Sequence, residues 1–208
     1  MIYAENILIC ILIPLLVSLL FTTGRARQFV IAFCVGMLLC LLSAYVSGFT
    51  EVALGLNENS VSIYISPIIE EIMKMLPILF CIFVLQSEDK PLIHIAVGIG
   101  AGFATFENCC KILTSGADVF TYVLIRGLAV GIMHLVCVLL LTFGVIMTRK
   151  YKAMSFASIL GSLSLSATYH GLYNLLVSQS GISSAIGYAL PIISVLYLFI
   201  TYKRMTQN

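Results

Sequence analysis

Glu70 and Glu71 are adjacent carboxylates in Ser66-Pro67-Ile68-Ile69-Glu70-Glu71-Ile72-Met73-Lys74-Met75-Leu76-Pro77, an otherwise apolar stretch within a run long enough to cross a bilayer. A charge at membrane depth costs at least about 2.5–3.5 kcal/mol on insertion scales. Lys74 follows Glu70 by four residues and Glu71 by three, so on a helix it reaches either acid. One ion pair offsets part of the cost and leaves a second carboxylate. That group must find another partner, hold a proton or do chemistry. Further along, His170 and Asn174 are spaced i, i+4 and share a helix face, as do Phe103 and Glu107. Arg126 and His134 lie about two turns apart on roughly one side. Carboxylates, imidazoles and an amide of this kind are the parts of acid–base or metal-assisted chemistry.

These residues have to be positioned by membrane helices. The 208-residue chain is 61% hydrophobic and only 10% charged, against about 25% charged in an ordinary soluble domain. Hydropathy predicts an all-α, polytopic bundle of seven spans: Ile2–Phe21, Phe29–Gly48, Ile63–Leu85, Leu92–Leu113, Thr121–Met147, Met154–Val177 and Ala185–Tyr202. The first lacks the positive flank and small-residue cleavage site of a signal peptide and is expected to be retained. With no repeat or long linker, residues 1–208 read as one domain, and 63–202 carry the polar motifs. Gly98, Gly100 and Gly102 are expected to let a neighbouring helix approach closely. The seven cysteines all fall within or at the ends of apolar runs, with no C-x-x-C, and read as reduced fillers. No basic run or RNA-binding signature is present, so nucleic acid is not an expected partner.

The basic residues set an orientation. Arg25, Arg27, Lys90, Arg149, Lys150, Lys152, Lys203 and Arg204 fall on one side of a seven-span chain. The acidic loop Phe49–Ser62 and the loops around Asp118 and Gly181 fall on the other, with Lys111 the exception. The N-terminus is therefore expected outside and the C-terminus in the cytoplasm. Counting along the helices puts Glu70 and Glu71 about 10 Å below the outer end of their span. Glu107 and Asn108 lie at a similar or shallower depth, Arg126 at a like depth, and His170 and Asn174 at about 5–13 Å. His134 lies nearer mid-span, and His94 near the cytoplasmic end. Four antiparallel helices thus place costly polar groups in the outer half of the membrane, which points to one shared polar cavity.

Four blocks, in order, resemble the PrsW family of intramembrane proteases, in the wider superfamily of CAAX prenyl endopeptidases and Abi proteins. Glu70-Glu71-Ile72-Met73-Lys74 resembles E-E-x-x-K. Gly102-Phe103-Ala104-Thr105-Phe106-Glu107-Asn108 resembles G-F-A-x-x-E-N. Arg126 with His134 resembles the R-then-H block, and His170-Gly171-Leu172-Tyr173-Asn174 resembles H-x-x-x-[DN]. The resemblance runs from about Ile63 to Tyr202. Two departures separate the chain from the CAAX branch: the cation is Lys74, one residue early for E-E-x-x-x-R, and Glu107 stands where F-x-x-x-H needs histidine.

The resemblance implies a site-1 type protease in a bacterial plasma membrane. It would cut a single-span protein, an anti-sigma factor, near the outer face and so release a sigma factor under envelope stress. Peptide hydrolysis needs a water, a base and an oxyanion donor. Glu70 or Glu71 is the expected base, aided by His134 or His170. Asn174 or Arg126 is the expected oxyanion donor, and Glu107 would orient a histidine. Lys74 and Asn108 are supporting residues. A second version places one zinc ion on Glu70, Glu107, His134 and His170, although H-E-x-x-H is absent. Two other classes stand beside the enzyme. A proton- or ion-coupled carrier also needs buried carboxylates and histidines, though no inverted repeat is evident. A non-catalytic Abi-like interaction protein would need the same groups only as interhelical hydrogen bonds.

Overall fold

The computed structural model describes residues 3–115 and 119–207, and it is all-helical with no strand among them. Seven principal helices follow one another: α1 Ala4–Ser18, α2 Gly24–Leu54, α3 Ser66–Phe83, α4 Asp89–Ser115, α5 Phe120–Lys150, α6 Ser155–Val177 and α7 Ile182–Gln207. They correspond one for one to the seven predicted runs, with longer α2, α4, α5 and α7. The predicted loop Phe49–Ser62 is mostly helical: α2 continues to Leu54 and ends on Gly55, whose left-handed backbone (φ 63°) suits the αL helix stop. Asp118 lies outside the described residues.

Among the described residues, four helices are long and apolar enough by composition to cross a membrane: Gly24–Leu54, Asp89–Thr114, Phe120–Lys150 and Ile182–Ile200. Three of the seven predicted spans fall short of that measure, each for a physical reason. Ala4–Ser18 is short. The 18 residues of α3 include Glu70, Glu71 and Lys74. In α6, three serines, a threonine, a histidine and an asparagine dilute the apolar residues after Ile159. The last two are the helices that carry the most site residues. At 1.5 Å per residue, α3 alone is about 27 Å long and α6 about 34 Å, close to the roughly 30 Å hydrocarbon core.

The core is built of apolar residues such as Ile78, Leu92, Ile99, Val138 and Leu141, large apolar side chains also cover the outside, and a few charged and polar groups are buried within. Glu71, Lys74 and His134 are wholly buried, whereas Phe80, Leu128, Leu165, Ile193 and Phe199 are exposed. A water-soluble protein seldom exposes so many large apolar side chains or buries charges so completely. The chain is a multi-pass membrane protein.

Glycines set the helix spacing around the site. A Cβ on Gly102 would lie 2.0 Å from the Phe33 carbonyl oxygen, and one on Gly36 would lie 2.1 Å from that of Ile99, so α2 and α4 meet backbone to backbone. Gly100 faces the other way, toward Val138 and the His134 carbonyl of α5. The predicted glycine-rich run thus accommodates two neighbours. We expect Gly102→Ala to cost at least about 1–3 kcal/mol, as overpacking does. Gly161→Ala, where a Cβ meets nothing within 4 Å, should stabilise by about 0.5–1 kcal/mol. Thermal unfolding of detergent-purified variants checks both signs. Equal melting temperatures for the two would refute the close approach.

Before α3, Asn57 caps the turn Glu58–Ser60 by accepting from the Ser60 amide at 2.8 Å. A π-helical turn, Val61–Ile65, then leads into α3. Pro67 explains the widening: it has no N–H, and its ring clashes with a carbonyl four residues back in a regular helix.

Candidate functional site

The inward face of α3 carries Glu71 and Lys74, both fully buried, with Lys74 Nζ 2.7 Å from Glu71 Oε1 and 3.9 Å from Glu70 Oε2. The sequence allowed Lys74 to choose either acid. The fold directs it to Glu71. Its second hydrogen bond goes to Nδ1 of His134 on α5, at 2.8 Å, and its ammonium sits 4.1 Å from the Phe103 ring centroid on α4. An ammonium only donates, so Nδ1 of His134 accepts and Nε2 holds the ring proton. Nε2 donates to Glu107 Oε2 at 2.6 Å, and Arg126 Nη2 donates to Glu107 Oε1 at 2.9 Å. Glu107 therefore bridges His134 and Arg126, one oxygen to each.

Glu71 is fully engaged. Besides Lys74, its Oε1 accepts from His170 Nδ1 at 2.9 Å, and its Oε2 accepts from Ser166 Oγ at 2.9 Å. Because the carboxylate accepts, His170 carries a proton on Nδ1, and in the neutral ring Nε2 then has the lone pair. That lone pair faces Glu70 Oε2 at 3.9 Å. Glu70 Oε2 is itself buried with no hydrogen-bond partner. Two acceptors facing one another need a donor or a cation between them.

Both groups open onto a cavity of about 430 Å³ lined also by Glu107, Arg126, Tyr122 and Asn174. Arg126 Nε is buried and unpartnered, leaving an N–H donor in the cavity wall. Asn174 donates through Nδ2 to the Ser62 carbonyl at 2.9 Å, so it ties α6 to the π turn and keeps one N–H in reserve.

Two residues lie elsewhere. Asn108 lines a separate groove of about 240 Å³ between α4 and α5, with Ala101, Thr105, Gly127 and Gly131. One step along a helix turns a side chain by about 100°, so Asn108 cannot share the face of Glu107. His94, expected near the opposite end, bonds the Lys90 carbonyl at 2.7 Å, away from the cluster.

Ser166 was not singled out from the sequence. Its signal was the spacing Ser166, His170, Asn174, one residue every four on one face of α6.

A metal has a credible donor set. Ligand atoms of Glu70, His134 and His170 all lie within 4.8 Å of one another. Two imidazoles and a carboxylate, one oxygen of it unpartnered, fit the composition of a catalytic zinc site. Glu71 would act from behind, fixing His170 through Nδ1. Glu70 and His170 are ready as they stand, whereas His134 would have to release Lys74 or Glu107 first. Glu107, included in the sequence-based metal set, is outside this group because its oxygens hold Arg126 and His134. A second group, Glu71, Cys137 and His170, is less suitable because Glu71 has no oxygen free of partners.

No curated protein and no solved structure matches the chain. A family model, the PrsW family intramembrane metalloprotease, matches residues 24–202. That match runs from the start of α2 into α7 and takes in every residue of the buried network, and the chain belongs to the PrsW family of intramembrane metalloproteases.

Proposed function

We propose that the protein is a site-1 type protease that hydrolyses a peptide bond in a single-span membrane protein of the anti-sigma-factor type. The cut falls near the outer face of a bacterial plasma membrane. One observation carries the reading: Glu70 Oε2 and His170 Nε2, both acceptors, face each other at 3.9 Å on the wall of a polar cavity. A single water can donate to both at ordinary hydrogen-bond distances.

Glu70 takes a proton from that water as its oxygen attacks the peptide carbonyl, and later returns it to the leaving amine. His170 holds the water in line, and Glu71 holds His170. The unpartnered Arg126 Nε, with the remaining N–H of Asn174, donates to the developing oxyanion. Buried Lys74 and His134 act behind the reacting groups and keep the two carboxylates in different roles. A zinc ion on Glu70, His134 and His170 would act as a Lewis acid and bring the pKa of bound water to about 7. The closeness of those three donors is the observation that supports this second version.

The depth argument supports the outer-face assignment. The cavity walls include Glu51, Glu58, Lys111, Tyr122 and Ser178, from the end of the bundle opposite Arg149 and Lys90. On the expected seven crossings with the N-terminus outside, that end faces the periplasm or the cell exterior.

The test is cleavage of a co-expressed, tagged single-span anti-sigma factor, with and without a strong chelator. Cleavage that survives the chelator supports Glu70 and His170 acting alone. Cleavage that is lost, and returns with zinc, assigns the ion. Substrate left intact by wild type under both conditions, across several such substrates, sinks the protease reading and favours a carrier or scaffold.

A further inference from the structure

Ser166 is wholly buried in the middle of α6. Hydroxyls inside helices ordinarily bond back to a carbonyl of their own turn. Ser43, Thr142, Ser162 and Ser194 do so here, bonding Leu39, Val138, Ile159 and Leu190. Ser166 instead reaches across the bundle. Its Oγ lies 2.9 Å from Glu71 Oε2 on α3 and 3.1 Å from the Cys137 carbonyl on α5. A hydroxyl has one proton, and a carboxylate is the stronger acceptor. Among the described residues, Ser166 is the one serine or threonine that donates to a carboxylate.

The consequence lies one bond further on. Glu71 has two oxygens and three donors around it. Lys74 and His170 both use Oε1, and Ser166 is the donor on Oε2. Without Ser166 the carboxylate is held at Oε1 alone, by Lys74 and His170, and is free to turn about that oxygen, which loosens the Nδ1 contact of His170. His170 could then move its proton to Nε2, the nitrogen that faces Glu70. An N–H there would point at Glu70, 3.9 Å away, and leave the reacting water no acceptor on His170.

We propose that Ser166 is a positioning residue: by donating to Glu71 Oε2 it locks His170 in the Nδ1–H tautomer and keeps Nε2 open toward Glu70. The proposed role in catalysis rests on the protease reading, but the tautomer lock does not.

The experiment uses the full chain in lipid bilayers with ¹⁵N,¹³C-histidine. There are only three histidines, His94, His134 and His170, and His94→Gln and His170→Gln variants assign them. Nitrogen–carbon correlation separates Nδ1, which is bonded to Cγ, from Nε2, which is not. Wild type should show His170 protonated at Nδ1 alone. Ser166→Ala should add an Nε2–H population, lower kcat about 10–100-fold, as loss of a supporting hydrogen bond typically does, and leave KM within about twofold. Ser166→Thr, which keeps the donor, should restore the single tautomer and most of kcat. Ser166→Cys, a weak donor of similar size, serves if the alanine variant does not fold. A single Nδ1–H tautomer in every folded variant, or a fall in activity that only follows the folded fraction, overturns the proposal. If wild type cleaves nothing, the tautomer readout still decides the lock, and the protease reading fails separately.

Discussion

Glu70→Gln should lower cleavage by about 10²–10⁴-fold, the usual range for loss of a general base, and leave the fold intact. The two halves of this result have separate causes. The amide has nearly the same shape and cannot take a proton from water. Glu70 Oε2 has no hydrogen-bond partner, and its nearest cation, Lys74, is 3.9 Å away and committed to Glu71. Little structural interaction is therefore lost. Folded yield in detergent and melting temperature should match wild type while the substrate stays uncut. Full cleavage by Glu70→Gln would transfer the base to another residue. Unfolding of this variant would show that Glu70 is structural and that its open position has been misread.

Changing Glu71 or Lys74 should do the opposite: the protein loses its fold, and activity goes with it. Breaking a buried ion pair from one side costs about 3–5 kcal/mol, because the other charge is left uncompensated. Glu71 and Lys74 are both completely buried and 2.7 Å apart. Glu71→Leu also strands the donors on Ser166 and His170, and Lys74→Met also strands Nδ1 of His134. Replacing both partners of such a pair with apolar residues is often neutral. The Glu71→Leu/Lys74→Met double variant should therefore recover more folded protein than either single variant, yet remain inactive because His170 has no acceptor at Nδ1. Folded fractions by size-exclusion chromatography, compared as a double-mutant cycle, measure the coupling. A double variant no better than the worse single one contradicts the pairing.

The two experiments together separate two residues that the sequence treats as equals. Glu70 and Glu71 are the same chemical group, one position apart, in the same apolar run, and Lys74 is in helical reach of both. Their difference arises from about 100° of rotation around α3, which turns Glu71 to His170 and Ser166 on α6 and Glu70 to the cavity. Neither the direction of the core nor the identity of the facing helix is a local property. Glu107 and Asn108 repeat the case on α4: one joins Arg126 and His134, and the other lines a different groove. Ser166 was illegible for a further reason, since a serine in a serine-rich helix acquires meaning only when a carboxylate is placed 2.9 Å from it.

By itself, the sequence determined that the chain is helical and built for a membrane, because long apolar runs leave no other way to satisfy the backbone. It also determined which polar residues needed an explanation, because charges in such runs are costly wherever they end up. The four motif blocks pointed to the family that the match over residues 24–202 then showed. Tertiary structure alone decided that Glu71 is satisfied and Glu70 is not, which nitrogen of each buried histidine carries the proton, and which oxygen of Glu71 Ser166 holds. Those outcomes depend on contacts between residues 27 to 99 positions apart, from Glu107 with His134 to Glu71 with His170. Helical periodicity orients a side chain on its own helix, and only the packing of four helices determines what it meets.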